Sequence, residues 1–115
     1  MRNLIAIGQA VIVWLILLTS SHAASFNCKP YLDRRACPEV LICSEPTLST
    51  LDEAMAALYQ DARSRLDPSM VTGFRDYQRE WLAKRDSCGC DYNCLATEYR
   101  SQIDGLRKTL KQMPQ

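Results

Sequence analysis

The sequence predicts an all-α protein: a small disulfide-stapled helical bundle of one short and three longer helices. Three observations predict it. Apolar residues recur at helical spacing over three long stretches. No segment of useful length alternates apolar and polar residues as a half-buried strand does, and there is no internal repeat or low-complexity run. Six cysteines, Cys28, Cys37, Cys43, Cys88, Cys90 and Cys94, follow an N-terminus that reads as an export signal.

That N-terminus opens with Arg2 and an apolar run from Leu4 to Leu18. The run is about fifteen residues, short of the roughly twenty that a helix needs to span a bilayer. The stretch TSSHAA follows, in which Ser21 and Ala23 satisfy the small-x-small pattern for cleavage after Ala23, and Ala24 is a second candidate end. Residues 1–23 are therefore read as a signal peptide and 24–115 as one helical domain, with its core over about 25–107 and a frayed tail from Lys108. The expected location is periplasmic or secreted, with no stable membrane insertion after cleavage. Of the fourteen Lys+Arg, Arg2 leaves with the signal, so thirteen face thirteen Asp+Glu. Neutrality argues against nucleic acid, which asks for a basic surface. His22 is the only histidine and also leaves, which removes Ser-His-Asp and Cys-His catalysis and the commonest zinc sites. No cofactor and no metal are expected.

The elements follow in order. PEVLIC, Pro38 to Cys43, suggests the short helix, and the segment before it reads as extended. Pro46 starts a turn. Ser49 or Thr50 can cap the first long helix, with Asp52 and Glu53 in its first turn favouring the helix dipole. Leu51, Met55, Leu58, Tyr59, Ala62 and Leu66 mark its buried face. Asp67-Pro68 ends it and begins the next, since proline suits a first turn and not an interior. Val71, Phe74, Tyr77, Trp81 and Leu82 form the stripe of the second helix, which runs to about Asp86. Gly73 weakens it by about 1 kcal/mol relative to Ala. Asp91 or Asn93 can cap the third, whose stripe is Leu95, Tyr99, Ile103, Leu106 and Leu110, with Arg100, Arg107, Lys108 and Lys111 mostly outside it. Short connections make sequential neighbours antiparallel.

RDSCGCDYNC, residues 85–94, packs three cysteines between the second and third long helices. A metal claw and a redox centre compete with a staple here. Three clustered thiolates could hold zinc or copper(I). Cys88-Gly89-Cys90 lacks the two-residue spacer of a redox motif, and no strand precedes it. An even count in a small exported domain favours disulfides. Six cysteines allow fifteen pairings, and spacing alone does not choose. A Cys88–Cys94 bond would fix the angle between two helices. A Cys28–Cys43 bond would tie the N-terminal segment to the short helix, and Cys37–Cys90 would clip that segment to the helix junction.

Two polar residues interrupt an apolar stripe. Gln78 falls between Phe74 and Trp81, and Arg85 follows Trp81 by one turn. They form either a recognition site or a buried hydrogen-bond network, and a buried guanidinium needs a partner, for which Asp52 or Glu98 serves. Asp52 and Glu53 could also act as acid and base. Yet Asp52, Glu53, Asp61 and Asp86 are explained by caps and surface charge, so no enzymatic activity is expected.

SFNC (25–28), EVLICSEPTLSTLDEAMAALY (39–59), QREWLAKRDSC (78–88) and CLATEY (94–99) come in this order. Together they resemble the domain of the LprI-type lysozyme inhibitors, exported bacterial proteins, from Ser25 to about Leu106. The resemblance implies an all-helical fold and four family cysteines matching Cys28, Cys43, Cys88 and Cys94. Cys37 and Cys90 are additions to the pattern, which suggests that they pair with each other. The family's named member is a lipoprotein, and this sequence lacks its lipid-attachment cysteine. The resemblance also implies a function, binding and inhibiting lysozyme. Asp91, Tyr92 and Asn93, in the crosslinked loop, are the candidate segment for insertion into the lysozyme cleft. The competing reading is that they only cap and turn into the third helix. The alternative function is a periplasmic protein-binding or assembly module for another envelope protein, without lysozyme inhibition.

Overall fold

Three prolines mark helical starts, because a missing N–H costs nothing in a first turn and the fixed φ is already helical. In a computed structural model that describes residues 24–114, Pro30 lies in the first turn of α1 (Lys29–Arg34) and Pro46 opens α3 (Pro46–Arg65). Pro68 opens a 3-10 turn, Pro68–Met70, that leads into α4 (Val71–Asp86). Between α1 and α3 lies α2 (Glu39–Ser44), and α5 (Tyr92–Gln112) closes the chain. The described residues contain helices and no strand. The expected signal peptide lies outside them. No helix among them is long and apolar enough to cross a membrane.

Three details depart from the sequence reading. The segment before α2 is not extended: Lys29–Arg34 is helical. It buries no residue, so it carries no apolar period to read. α3 starts at Pro46, earlier than Ser49 or Thr50, because Glu45 takes the extended backbone that a following proline imposes. Ser49 is consequently inside the helix, and its Oγ donates to the Ile42 carbonyl at 2.5 Å, which ties α3 to the end of α2. Asp52 is likewise not a first-turn surface residue but is wholly buried. Finally, α5 continues through Gln112, past Lys108.

Connectivity makes the long helices run up, down and up, so α5 is antiparallel to α4 and parallel to α3. α5 is the central element, packed on α3 above all and then on α4. Its inward residues Leu95, Ala96, Tyr99, Ile103 and Leu106 meet Ile42, Leu48, Met55, Tyr59 and Trp81 to form the core. Leu95 and Leu106 have no exposed surface. Truncating either to alanine therefore carries the usual core penalty of about 2–5 kcal/mol.

Three disulfides gather at one end of the bundle. Cys28–Cys43 joins the start of α1 to α2, with Cα atoms 5.9 Å apart. Cys37–Cys90 joins the α1–α2 turn to the α4–α5 turn, at 5.3 Å. Cys88–Cys94 closes the α4–α5 turn on the first turn of α5, at 5.6 Å. The opposite end, where α3 turns into α4 and α5 finishes, has no crosslink.

Candidate functional site

Two places stand out: a buried polar network in the bundle and the surface of the stapled end. The network starts from Arg85, whose place one turn after Trp81 aims it inward. Its side chain is 8% exposed. Nε and Nη2 donate to Asp86 Oδ1 at 3.0 and 2.8 Å. Nη1 donates to the Tyr99 hydroxyl at 3.4 Å and lies 3.9 Å from Asp52 Oδ1. Tyr99 in turn donates to Asp52 Oδ1 at 2.8 Å. The other Asp52 oxygen accepts from the backbone N–H of Ser25 at 2.7 Å and from its hydroxyl at 2.5 Å. The guanidinium carbon also sits 5.9 Å from the centre of the Phe26 ring. One carboxylate thus ties the N-terminal strap, α3, α4 and α5 together.

Burial and the neighbouring Asp52 charge push the Tyr99 hydroxyl above the usual phenol range, against the opposing pull of Arg85. At neutral pH it is therefore a neutral donor. Burial works against the Arg85 cation, but the Tyr99 oxygen and the Asp86 carboxylate outweigh it and raise its pKa. So the network holds a fixed cation between two carboxylates, which offsets the desolvation of each.

Gln78 belongs to a second strand of contacts. Its Oε1 accepts from Gln102 at 3.0 Å, and its Nε2 faces the Met55 sulfur at 3.0 Å. Tyr77 donates to Gln102 Oε1 at 3.1 Å. Glu98 does not reach Arg85; only its carbonyl takes part, accepting from Trp81 Nε1 at 3.3 Å. The network is spent on registering the helices against one another. Asp52 and Glu53 do not form an acid–base pair, since consecutive helical residues point about 100° apart. Asp52 faces the core, while Glu53 Oε1 is buried without a hydrogen-bond partner.

The stapled end carries the candidate contact residues. The turn between α4 and α5 uses Gly89 at φ 59°, a conformation that glycine adopts without steric cost. Asp91 then caps α5, its carboxylate accepting from the Cys94 N–H at 3.1 Å. Tyr92 and Asn93 therefore belong to the first turn of the helix and not to the loop. All three are exposed, Tyr92 to 37%. The capping role and an outward face coexist here, because a cap uses one side of the residue.

Gln78 and Arg85 share the buried network; Asp91, Tyr92 and Asn93 lie apart from it, at the staple. Sequence reasoning missed Ser25, Tyr99 and Gln102 as members. Tyr99 hides in an apolar stripe, and its hydroxyl is the one signal that it needs a partner inside. It also missed Arg35, which ends α1 in the left-handed region at φ 52°.

A family model described as Lysozyme inhibitor LprI matches residues 33–113, which spans the fold from α1 to the end of α5. No curated protein and no solved structure matches the chain.

Proposed function

The chain belongs to the lysozyme inhibitor LprI family, and from that membership we propose that it is an exported, non-catalytic protein that inhibits lysozyme by occupying its cleft. Three disulfides suit an oxidising compartment outside the cytoplasm, periplasmic or secreted. An inhibitor gains affinity when its contact surface is already rigid, because less ordering entropy is lost on binding. The observation that carries this reading is the stapled end, where two crosslinks, Cys37–Cys90 and Cys88–Cys94, hold exposed Asp91, Tyr92 and Asn93 on a fixed base. Tyrosine on a rigid base is a frequent anchor of protein interfaces. The near-neutral chain offers no long-range attraction to a basic lysozyme, so recognition rests on fit and short-range contacts.

The test is a cell-wall lysis assay with the oxidised protein and lysozymes of several types. Inhibition of at least one type is expected, and Tyr92→Ala raises the inhibition constant by about tenfold or more if Tyr92 is an anchor. A folded protein that slows no lysozyme overturns the reading and leaves a protein-binding module without inhibition. Inhibition untouched by Tyr92→Ala removes Tyr92 as the anchor.

A further inference from the structure

α1 buries no residue, yet it sits between two crosslinks, Cys28–Cys43 before it and Cys37–Cys90 after it. Core packing does not account for this fastening, because an element with no buried residue contributes little apolar area. Half-buried Tyr31 packs edge-on against Phe26, and Leu32 to Arg35 face water. The helix ends at Arg35, at φ 52° and ψ 40°. Glycine or asparagine usually fills that position, and other residues occupy it at a steric cost. The backbone accepts the cost through two bonds: the Arg35 N–H donates to the Leu32 carbonyl at 3.3 Å and the Ala36 N–H to the Tyr31 carbonyl at 3.1 Å.

The Arg35 side chain is exposed, and among the described residues it makes no hydrogen bond or ion pair. Its neighbour Arg34 is engaged, with Nε donating to the Pro30 carbonyl at 3.2 Å and the guanidinium 5.9 Å from the Tyr31 ring centre. Two residues beyond Arg35 stands Cys37; its partner Cys90, with Cα 5.3 Å away, stands two residues before Tyr92. Arg35 and Tyr92 thus each stand two residues from the Cys37–Cys90 bridge, on the two turns that this disulfide fuses into one tip.

We infer that Arg35 is the cation this tip delivers into the lysozyme cleft, where it pairs with the carboxylates flanking the scissile glycosidic bond. The inference rests on the inhibitor reading above and names the group that enters the site. A glycosidase of this kind presents two carboxyl groups a few ångströms apart. A planar guanidinium matches them with paired donors. Asp91 has the wrong sign for that site and is occupied in capping α5. Tyr92 supplies contact area beside the cation, and Arg35 supplies the charge.

Arg35→Gly separates fold from contact, since glycine relieves the left-handed backbone while removing the cation. Its melting temperature should equal or exceed that of the unaltered protein, while the inhibition constant rises at least about tenfold. Arg35→Ala should lose inhibition to the same degree, with helix content checked by circular dichroism. An N-acetylglucosamine oligomer that fills the cleft should compete with the unaltered protein. Inhibition by the unaltered protein that both variants retain, or that the oligomer does not relieve, overturns this inference and leaves the inhibitor reading standing. If the unaltered protein inhibits no lysozyme, the inhibitor reading itself falls.

Discussion

The two ends of this bundle are held by different means. At the stapled end three disulfides fasten short helices and turns whose side chains mostly face water. At the other end no disulfide crosses, and the α3–α4 turn and the last turn of α5 line the two sides of a groove. Phe74 stacks on Tyr59 at 5.1 Å and on Tyr77 at 6.0 Å, between ring centres. Beside them Leu66, Met70, Phe74, Tyr77 and Met113 line an open groove of about 820 Å³, with Met70 58% and Tyr77 44% exposed. The contrast teaches where rigidity is needed. Both ends have a buried base, Ile42, Leu48 and Leu95 at one and Ala62 and Leu106 at the other; what differs is that α1 and the turns above the first base bury little and are closed covalently, whereas the open end is closed by aromatic stacking. The Asp52 network lies towards the stapled side and couples the two, because it binds the N-terminal strap to all three long helices.

The comparison breaks most sharply at Cys37–Cys90, the bridge between two turns otherwise separated by 53 residues. Replacing both with serine should lower stability by about 4 kcal/mol in the chain-entropy model. Urea unfolding of the double variant measures it. Hydrogen exchange should show the loss concentrated in α1 and the α4–α5 turn, while the amides around Phe74 keep most of their protection. Uniform loss over both ends would show that the bundle is one cooperative unit and that the two ends differ only in appearance.

A smaller effect is expected at the junction. Asp52→Ala removes the acceptor for Tyr99 and for both Ser25 donors, and it leaves Arg85 with Asp86 as its one carboxylate. Breaking one side of a buried pair costs about 3–5 kcal/mol, and the retained Asp86 contact places the expected loss near about 3. Thermal unfolding measures the loss, and exchange of the Ser25 amide reports whether the strap is released. A stable variant with Ser25 still protected would mean that Cys28–Cys43 alone holds the strap and that the network adds nothing to the stapled end.

These two sites also show what a sequence can and cannot disclose. The stripes of α3, α4 and α5 were legible because Met55, Trp81, Leu95, Ile103 and their neighbours recur at the helical period. Gln78 and Arg85 were legible as misfits in such a stripe, and Asp52 was one of two partners considered for Arg85. A cap at Ser49 or Thr50 makes Asp52 a dipole residue; the observed cap, Glu45, lies four or five residues earlier, and Pro46 decides it. α1 was invisible because six residues without a buried face leave no pattern. The left-handed turn at Arg35 was invisible for a related reason: a glycine there would have announced it, and an arginine does not. Tyr92 could be marked as a contact candidate, but its place on a helix rather than a loop followed from which of Asp91 and Asn93 caps α5.

The smallest expected effect sharpens the account of the uncrosslinked end. Asp67 stands where a disulfide does not, capping the 3-10 turn that joins α3 to α4. Its carboxylate accepts from the Ser69 hydroxyl at 2.7 Å and the Ser69 N–H at 2.9 Å. Those two bonds favour the charged form and hold its pKa below the usual carboxylate value. A depressed folded-state pKa contributes stability that is present above the unfolded value, near 4, and is lost as pH falls through the folded value. Fully exposed, the group contributes little in total. Asp67→Ala should therefore change the melting temperature slightly at neutral pH, and the difference should shrink as pH falls below the unfolded carboxylate value and through the lowered folded one. Exchange at the Ser69 and Met70 amides should rise at neutral pH, while the amides of Cys90 and Asp91 stay as they were. A response at the stapled end as large as at Ser69 would mean that the crosslinks do not insulate the tip from the rest of the bundle. In that case the rigidity of the tip comes from the whole fold, and its three sulfur bridges only confirm a geometry the helices already impose.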